Sequence, residues 1–203
     1  MKIIKVSFFA IIAILTIKLI NIGISSNSIN DGDLIFQSEL LPRGLAIQAA
    51  TVSKYNHVGI IFKENGKYYV YEAIGKVTRT PLQSYINRRG TYGRYTIMRP
   101  RQNNLKISSL KYYVVSQLGK RYDPSLKWSD NRMYCSELVW KAYYNSNSIA
   151  ISNPAPIENR VLGKILLPFV PKDRISFLDI SDPVVSPADL ARSWKLKTIY
   201  TNY

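Results

Sequence analysis

Two apolar runs flank Glu64-Asn65-Gly66, and together they constrain the fold more than any other stretch of the chain. Tyr55-Asn56-His57-Val58-Gly59-Ile60-Ile61-Phe62 precedes the turn, and Lys67-Tyr68-Tyr69-Val70-Tyr71-Glu72-Ala73 follows it. Asn-Gly is a strong hairpin signal, and β-branched and aromatic residues suit a pleated, half-buried surface. The spacing therefore predicts two antiparallel strands. Alternation puts Tyr69, Tyr71 and Ala73 on one face of the second strand and Tyr68, Val70 and Glu72 on the other. Pairing about the turn would make His57, the sole histidine, and Glu72 neighbours at one end of the sheet. A carboxylate there would orient the imidazole and stabilise its charged form. A lone histidine at a strand start is more often structural, so spacing alone leaves both roles open.

The second constraint is Tyr134-Cys135-Ser136-Glu137-Leu138-Val139-Trp140, which holds the only cysteine. Asp130 and Asn131 stand upstream as helix-capping candidates, and Leu138, Val139, Ala142 and Tyr143 recur at helical spacing. Cys135 is thus expected in the first turn of a helix, where unpaired amides and the helix dipole favour a thiolate. The competing role is a small buried thiol. Tyr134, directly before the cysteine, is a candidate wall for a substrate. Glu137 lies two helical positions from Cys135 and should point away from it, which suits capping or a surface contact.

Four blocks then appear in a telling order: Gly32-Asp33-Leu34-Ile35-Phe36, His57-Val58-Gly59-Ile60, Val70-Tyr71-Glu72-Ala73 and Tyr134-Cys135-Ser136-Glu137-Leu138-Val139. In this the chain resembles the YiiX-like group, a circularly permuted branch of the NlpC-type, papain-like cysteine hydrolases related to the lecithin–retinol acyltransferase-like proteins. In unpermuted relatives the cysteine precedes the histidine; here the order is His, Glu, Cys. The resemblance implies Cys135 as nucleophile, His57 as general base and Glu72 as orienting residue, with Asp33 joining Tyr134 as a candidate substrate contact. It also implies an α+β permuted papain-like (NlpC-type) fold, an antiparallel sheet with the nucleophile-bearing helix packed on it, spanning residues 31–178. Residues 40–52 would lie beside the active site.

Met1 to Ile24 reads as a targeting segment. Lys2 and Lys5 precede a nearly unbroken apolar run from Val6 to Ile17, the length of a signal-peptide core rather than of a full span. No strong cleavage site follows, so a signal peptide and an N-terminal membrane anchor both remain, and export is expected. Further strands are expected at Asp33 to Gln37, Lys76 to Thr80 and Tyr92 to Arg99, and helices at Leu82 to Arg89 and Leu105 to Leu118. Residues 179–203 read as a basic C-terminal extension, packed on the domain or trailing it, with a helix start at Ser186-Pro187-Ala188-Asp189-Leu190.

The net charge of +15 would draw an exported protein to anionic polymers or lipid head groups of the envelope. Arg88-Arg89 and Arg99-Pro-Arg101 are pairs rather than a long basic run, so nucleic acid ranks last among anionic partners. One histidine and one cysteine make no zinc site unaided, and neither a calcium loop nor a phosphate-cradling glycine loop occurs, so no metal or cofactor is expected. The expected chemistry is hydrolysis of an amide, peptidic and envelope-related, through a thioester. Acyl transfer or lipid amidase and esterase activity on acyl lipids is the alternative, with a non-catalytic module of the same fold as the third. Peptide and acyl-lipid substrates are not separated by these residues.

Overall fold

Asn65 and Gly66 both have positive φ, 48° and 78°, as a two-residue turn between twisted strands requires. About this turn β2 (His57–Glu64) and β3 (Lys67–Ile74) pair antiparallel, as the flanking runs predict. The computed structural model describes residues 29–38, 51–88, 93–156 and 181–203. The targeting segment and residues 40–50 lie outside the described residues.

β1 (Leu34–Gln37), β4 (Lys76–Pro81), β5 (Tyr95–Pro100) and β8 (Leu196–Thr201) complete a six-stranded sheet in the order β4-β3-β2-β1-β5-β8, every pairing antiparallel. A short separate pair, β6 (Ala155–Pro156) and β7 (Pro183–Val184), lies outside it. The helices are α1 (Leu82–Ile86), α2 (Ile107–Ser116), α3 (Cys135–Asn147) and α4 (Pro187–Ala191). This is an α+β architecture. The C-terminal stretch is neither a trailing nor a merely packed extension: β8 pairs with β5 as the sheet's edge strand. The apolar residues of β8, Leu196, Ile199 and Tyr200, are too few to stand out beside Lys195 and Lys197.

Alternation along the strands builds two cores. Leu34, Phe36, Val58, Ile60 and Phe62 pack on one face with Val139 and Tyr143 of α3 and Leu110 and Val114 of α2. Ile35, Ile61, Val70 and Ile97 pack on the other with Leu82, Tyr85 and Ile86 of α1. Gly59 lets β2 and β3 close at the site: a Cβ there would meet the Val70 side chain at 2.4 Å and the Tyr71 carbonyl at 2.9 Å. Among the described residues no helix is long and apolar enough to cross a membrane.

Candidate active site

Cys135 is the first residue of α3. Tyr134 before it is extended (φ −97°, ψ 166°), and the Glu137 carboxylate turns back to accept the Tyr134 N–H at 3.4 Å. The cap is therefore supplied from inside the helix rather than by Asp130 or Asn131. Asp130 instead accepts from Lys141 Nζ at 2.8 Å. Glu137 does cap, as expected, but it is fully buried rather than at the surface, with Lys141 Nζ 2.9 Å from its other oxygen. Burial pushes its pKa up to about 7, against the opposing influence of Lys141 and the backbone N–H groups. Lys141 also donates to the Ser129 carbonyl, so the loop entering the helix is tied to the turn that carries the cysteine.

His57 opens β2. By alternation its side chain shares a face with Gly59 and Ile61, the face that α1 covers, whereas Cys135 belongs to the core on the opposite face. The two meet because His57 is the first residue of its strand, at the end of the sheet that the N-terminus of α3 reaches. Nε2 of His57 lies 2.5 Å from Glu72 Oε2, and the Cys135 side chain acts electrostatically on the same ring. With Nε2 engaged by Glu72, Nδ1 is the ring nitrogen left for a further partner. The Tyr85 ring stacks on the imidazole at 5.7 Å. Cys135 and His57 are each only 4% exposed. Burial by itself disfavours the imidazolium, but charge and hydrogen-bond interactions with Cys135, joined by those of Glu72, outweigh it and raise the His57 pKa to about 10.

Glu72 is wholly buried, yet both of its oxygens are occupied. Thr80 Oγ1 donates to Oε1 at 2.6 Å; Arg88 reaches Oε2 through one guanidinium nitrogen at 2.8 Å and Oε1 through the other. Desolvation favours the neutral acid, but His57 and Arg88 reverse it and hold the carboxyl at about 2. Arg88 and Thr80 were invisible as site residues in the sequence. Arg88 reads there as half of a basic surface pair, and only the fold brings it back on Glu72.

The two candidate substrate contacts fall elsewhere. Tyr134 is buried in the core, its hydroxyl accepting the Val185 N–H at 3.3 Å, while Ser136 Oγ donates to the Val185 carbonyl at 2.8 Å. The ring thus straps the C-terminal segment to α3 instead of facing a cleft. Asp33 lies just before β1, where Arg99 binds both of its oxygens at 2.7 and 2.8 Å and the Asn30 N–H adds a third contact. The register puts Gln37, not Asp33, opposite His57. Four residues of strand, roughly 13 Å, separate the two levels. Asp33, Arg99 and Lys197 line a separate cavity of about 490 Å³. The aromatic set near the cysteine helix packs on itself: Trp140 lies between Trp128 and Tyr144, at 5.1 and 4.7 Å.

A buried thiol at a helix N-terminus, beside a histidine that precedes it in the chain, on an antiparallel sheet, is the arrangement of the papain-like class with permuted order. Residues 28–200 match the family of permuted papain-like amidase enzymes described as YaeF/YiiX, C92, and the chain belongs to that family. It is 34% identical over 176 residues to the uncharacterized protein YiiX of Escherichia coli K12, covering 83% of this chain and 84% of that protein. The crystal structure of YiiX from Escherichia coli O157:H7 superposes with a TM-score of 0.74 at 33% identity, covering 86% of this chain and 98% of the other.

That crystal structure is described as of a metalloprotein. The residues described here do not fit a metal. No three His, Cys, Asp or Glu side chains among them are placed to hold one ion, and Glu72 has its oxygens committed to His57, Thr80 and Arg88.

Proposed function

We propose that the protein hydrolyses an amide bond through a thioester on Cys135, with His57 as acid–base and Glu72 as the orienting anion. The observation that carries this is the chain of contacts from the Cys135 thiol through the His57 ring to an ionised, fully buried Glu72. His57 holds the proton taken from Cys135. The thiolate adds to the substrate carbonyl, forming the C–S bond and an oxyanion. The N–H of Cys135, one of the first-turn amides without an intrahelical acceptor, is the donor for that oxyanion. Collapse breaks the C–N bond as His57 gives its proton to the leaving amine. Water, deprotonated by His57, then cleaves the thioester and restores the thiol–imidazole pair.

The substrate class we assign is peptidic and belongs to the cell envelope, the enzyme being exported there. Support comes from Lys2, Lys5 and the apolar run of Val6 to Ile17, together with a net charge of +15 that suits an anionic surface. Intact-mass spectrometry of the full chain, incubated separately with cell-wall peptides and with N-acyl lipids, tests both parts. An acyl adduct mapped to Cys135 with wall peptides, absent in Cys135→Ala, is the expected outcome. Hydrolysis that survives Cys135→Ala rejects the mechanism, and an adduct formed only with acyl lipids rejects the substrate class.

A further inference from the structure

Among the described residues Glu72 is the carboxylate that acts on the imidazole, and the side chains that fix it come from the segment directly after its strand. Thr80 is the last residue but one of β4, and on the sheet its position is diagonal to Glu72, since Glu72 pairs with Thr78 and Val70 with Thr80. The chain then enters α1 at Leu82. Tyr85 lies on the His57 ring at 5.7 Å and anchors itself by donating to the Ile35 carbonyl at 3.2 Å. Arg88 follows just past the helix. Its guanidinium lies 4.9 Å from the centre of the same Tyr85 ring while spanning both Glu72 oxygens. One tyrosine is therefore shared between the histidine and the arginine, and one carboxylate is shared by both.

A fully buried carboxylate with a single histidine partner is free to rotate about its terminal torsion and to take up a proton. A planar fork on both oxygens removes both freedoms, since rotation would break two charge-assisted bonds at once. Lysine, as a point charge, supplies the charge without the fork.

We propose that Arg88 is a positioning residue of the active site: by forking onto Glu72, with Thr80 in support, it keeps that carboxylate ionised and aimed at Nε2 of His57. The proposal concerns the site taken above as catalytic, but its tests need no substrate. Among the described residues the charged and titratable groups facing His57 are Cys135 on α3, Glu72 on β3 and Tyr85 on α1; those facing Glu72 are His57 and Arg88.

Because the chain has one histidine and one cysteine, both partners can be read without interference. Full-length wild type, Arg88→Met, Arg88→Lys and Thr80→Val, each confirmed folded by circular dichroism, are labelled with ¹⁵N-histidine and also alkylated with iodoacetamide from pH 4 to 9. In wild type the Nε2–H proton should be a sharp, downfield, slowly exchanging signal. In Arg88→Met it should broaden or vanish. Alkylation should gain a new acidic limb as Glu72 takes up a proton, slowing by roughly tenfold near pH 5 and much less near pH 8. Arg88→Lys should lack the acidic limb yet still lose the sharp proton, and Thr80→Val should produce a smaller effect of the same kind as Arg88→Met.

A folded Arg88→Met protein with an unchanged Nε2–H signal and an unchanged pH profile overturns the proposal. So does a uniform loss of alkylation at all pH values, which a merely structural role would give. A wild-type Cys135 that fails to alkylate faster than a free thiol would count against the hydrolase reading. The Nε2–H signal would still decide the role of Arg88.

Discussion

β2 has a buried carboxylate–arginine pair on either side of it. On the β3 side Glu72 is bound by Arg88; on the β1 side Asp33 is bound by Arg99. Both carboxylates are at most 1% exposed, and both arginines are partly buried and contact two oxygens. The difference lies in the third partner. Glu72 has an imidazole 2.5 Å away, which interacts in turn with Cys135. Asp33 has the N–H of Asn30 and the turn that begins β1. The same chemical unit therefore orients a reactive group in one place and closes a turn onto β5 in the other. What an acid–arginine pair does is set by the neighbour that uses the remaining lone pair, not by the pair.

The comparison breaks most visibly under substitution. Glu72→Gln should lower amide hydrolysis by at least about a hundredfold, because the amide cannot stabilise the imidazolium and favours the wrong ring tautomer. Asp33→Asn should leave turnover within roughly threefold while lowering stability by about 3 kcal/mol, the cost of breaking a buried ion pair from one side. Steady-state kinetics beside urea unfolding separates the two. Equal losses of turnover in both variants would mean that the two pairs do the same work.

A smaller effect appears in the pH dependence of stability. His57 has its pKa raised from 6.5 to about 10 on folding, so its contribution is fully present below pH 6.5 and is lost as pH rises through about 10. Glu72 has its pKa lowered from 4.5 to about 2, so its contribution is present above pH 4.5 and is lost as pH falls through about 2. Calorimetry of the wild type from pH 6 to 10.5 should show a decline in melting temperature that His57→Gln flattens. An identical decline in that variant would mean that the histidine is not charged in the folded protein. Asp33→Asn should leave the slope over this range unchanged.

The smallest expected effect tests how the Glu72 side is packed. Gly59→Ala places a methyl 2.4 Å from Val70 Cγ1 and 3.3 Å from Glu72 Cβ. Overpacking of this kind costs roughly 1–3 kcal/mol. Chemical denaturation should show a loss in that range, and alkylation of Cys135 should slow as Glu72 is displaced. A loss of stability with unaltered alkylation would locate the strain in Val70 alone.

Local physics decided much of this from the sequence. A two-residue Asn-Gly turn fixes the register of its hairpin, and the register determines which side chains share a face, so the neighbourhood of His57 and Glu72 follows from residues 55–73 alone. The helical stripe after Cys135 likewise fixes its place at the start of α3, and the Ser186–Asp189 capping box starts α4 as expected. The tertiary structure alone decided which partners complete those groups. Asp130 and Asn131 suggest a cap, but Lys141 claims Asp130, and Glu137 supplies the cap from within the helix. Asp33 and Glu72 are both acids in motif-like blocks, and no pattern distinguishes them, because their roles depend on residues 66 and 16 positions away that meet them only in the folded sheet. Arg88 looks like surface charge, Tyr134 like a cleft wall and residues 196–201 like a basic tail. Contacts at long sequence separation leave no periodicity to read, and it is such contacts that make these an acid's clamp, a core strap and an edge strand.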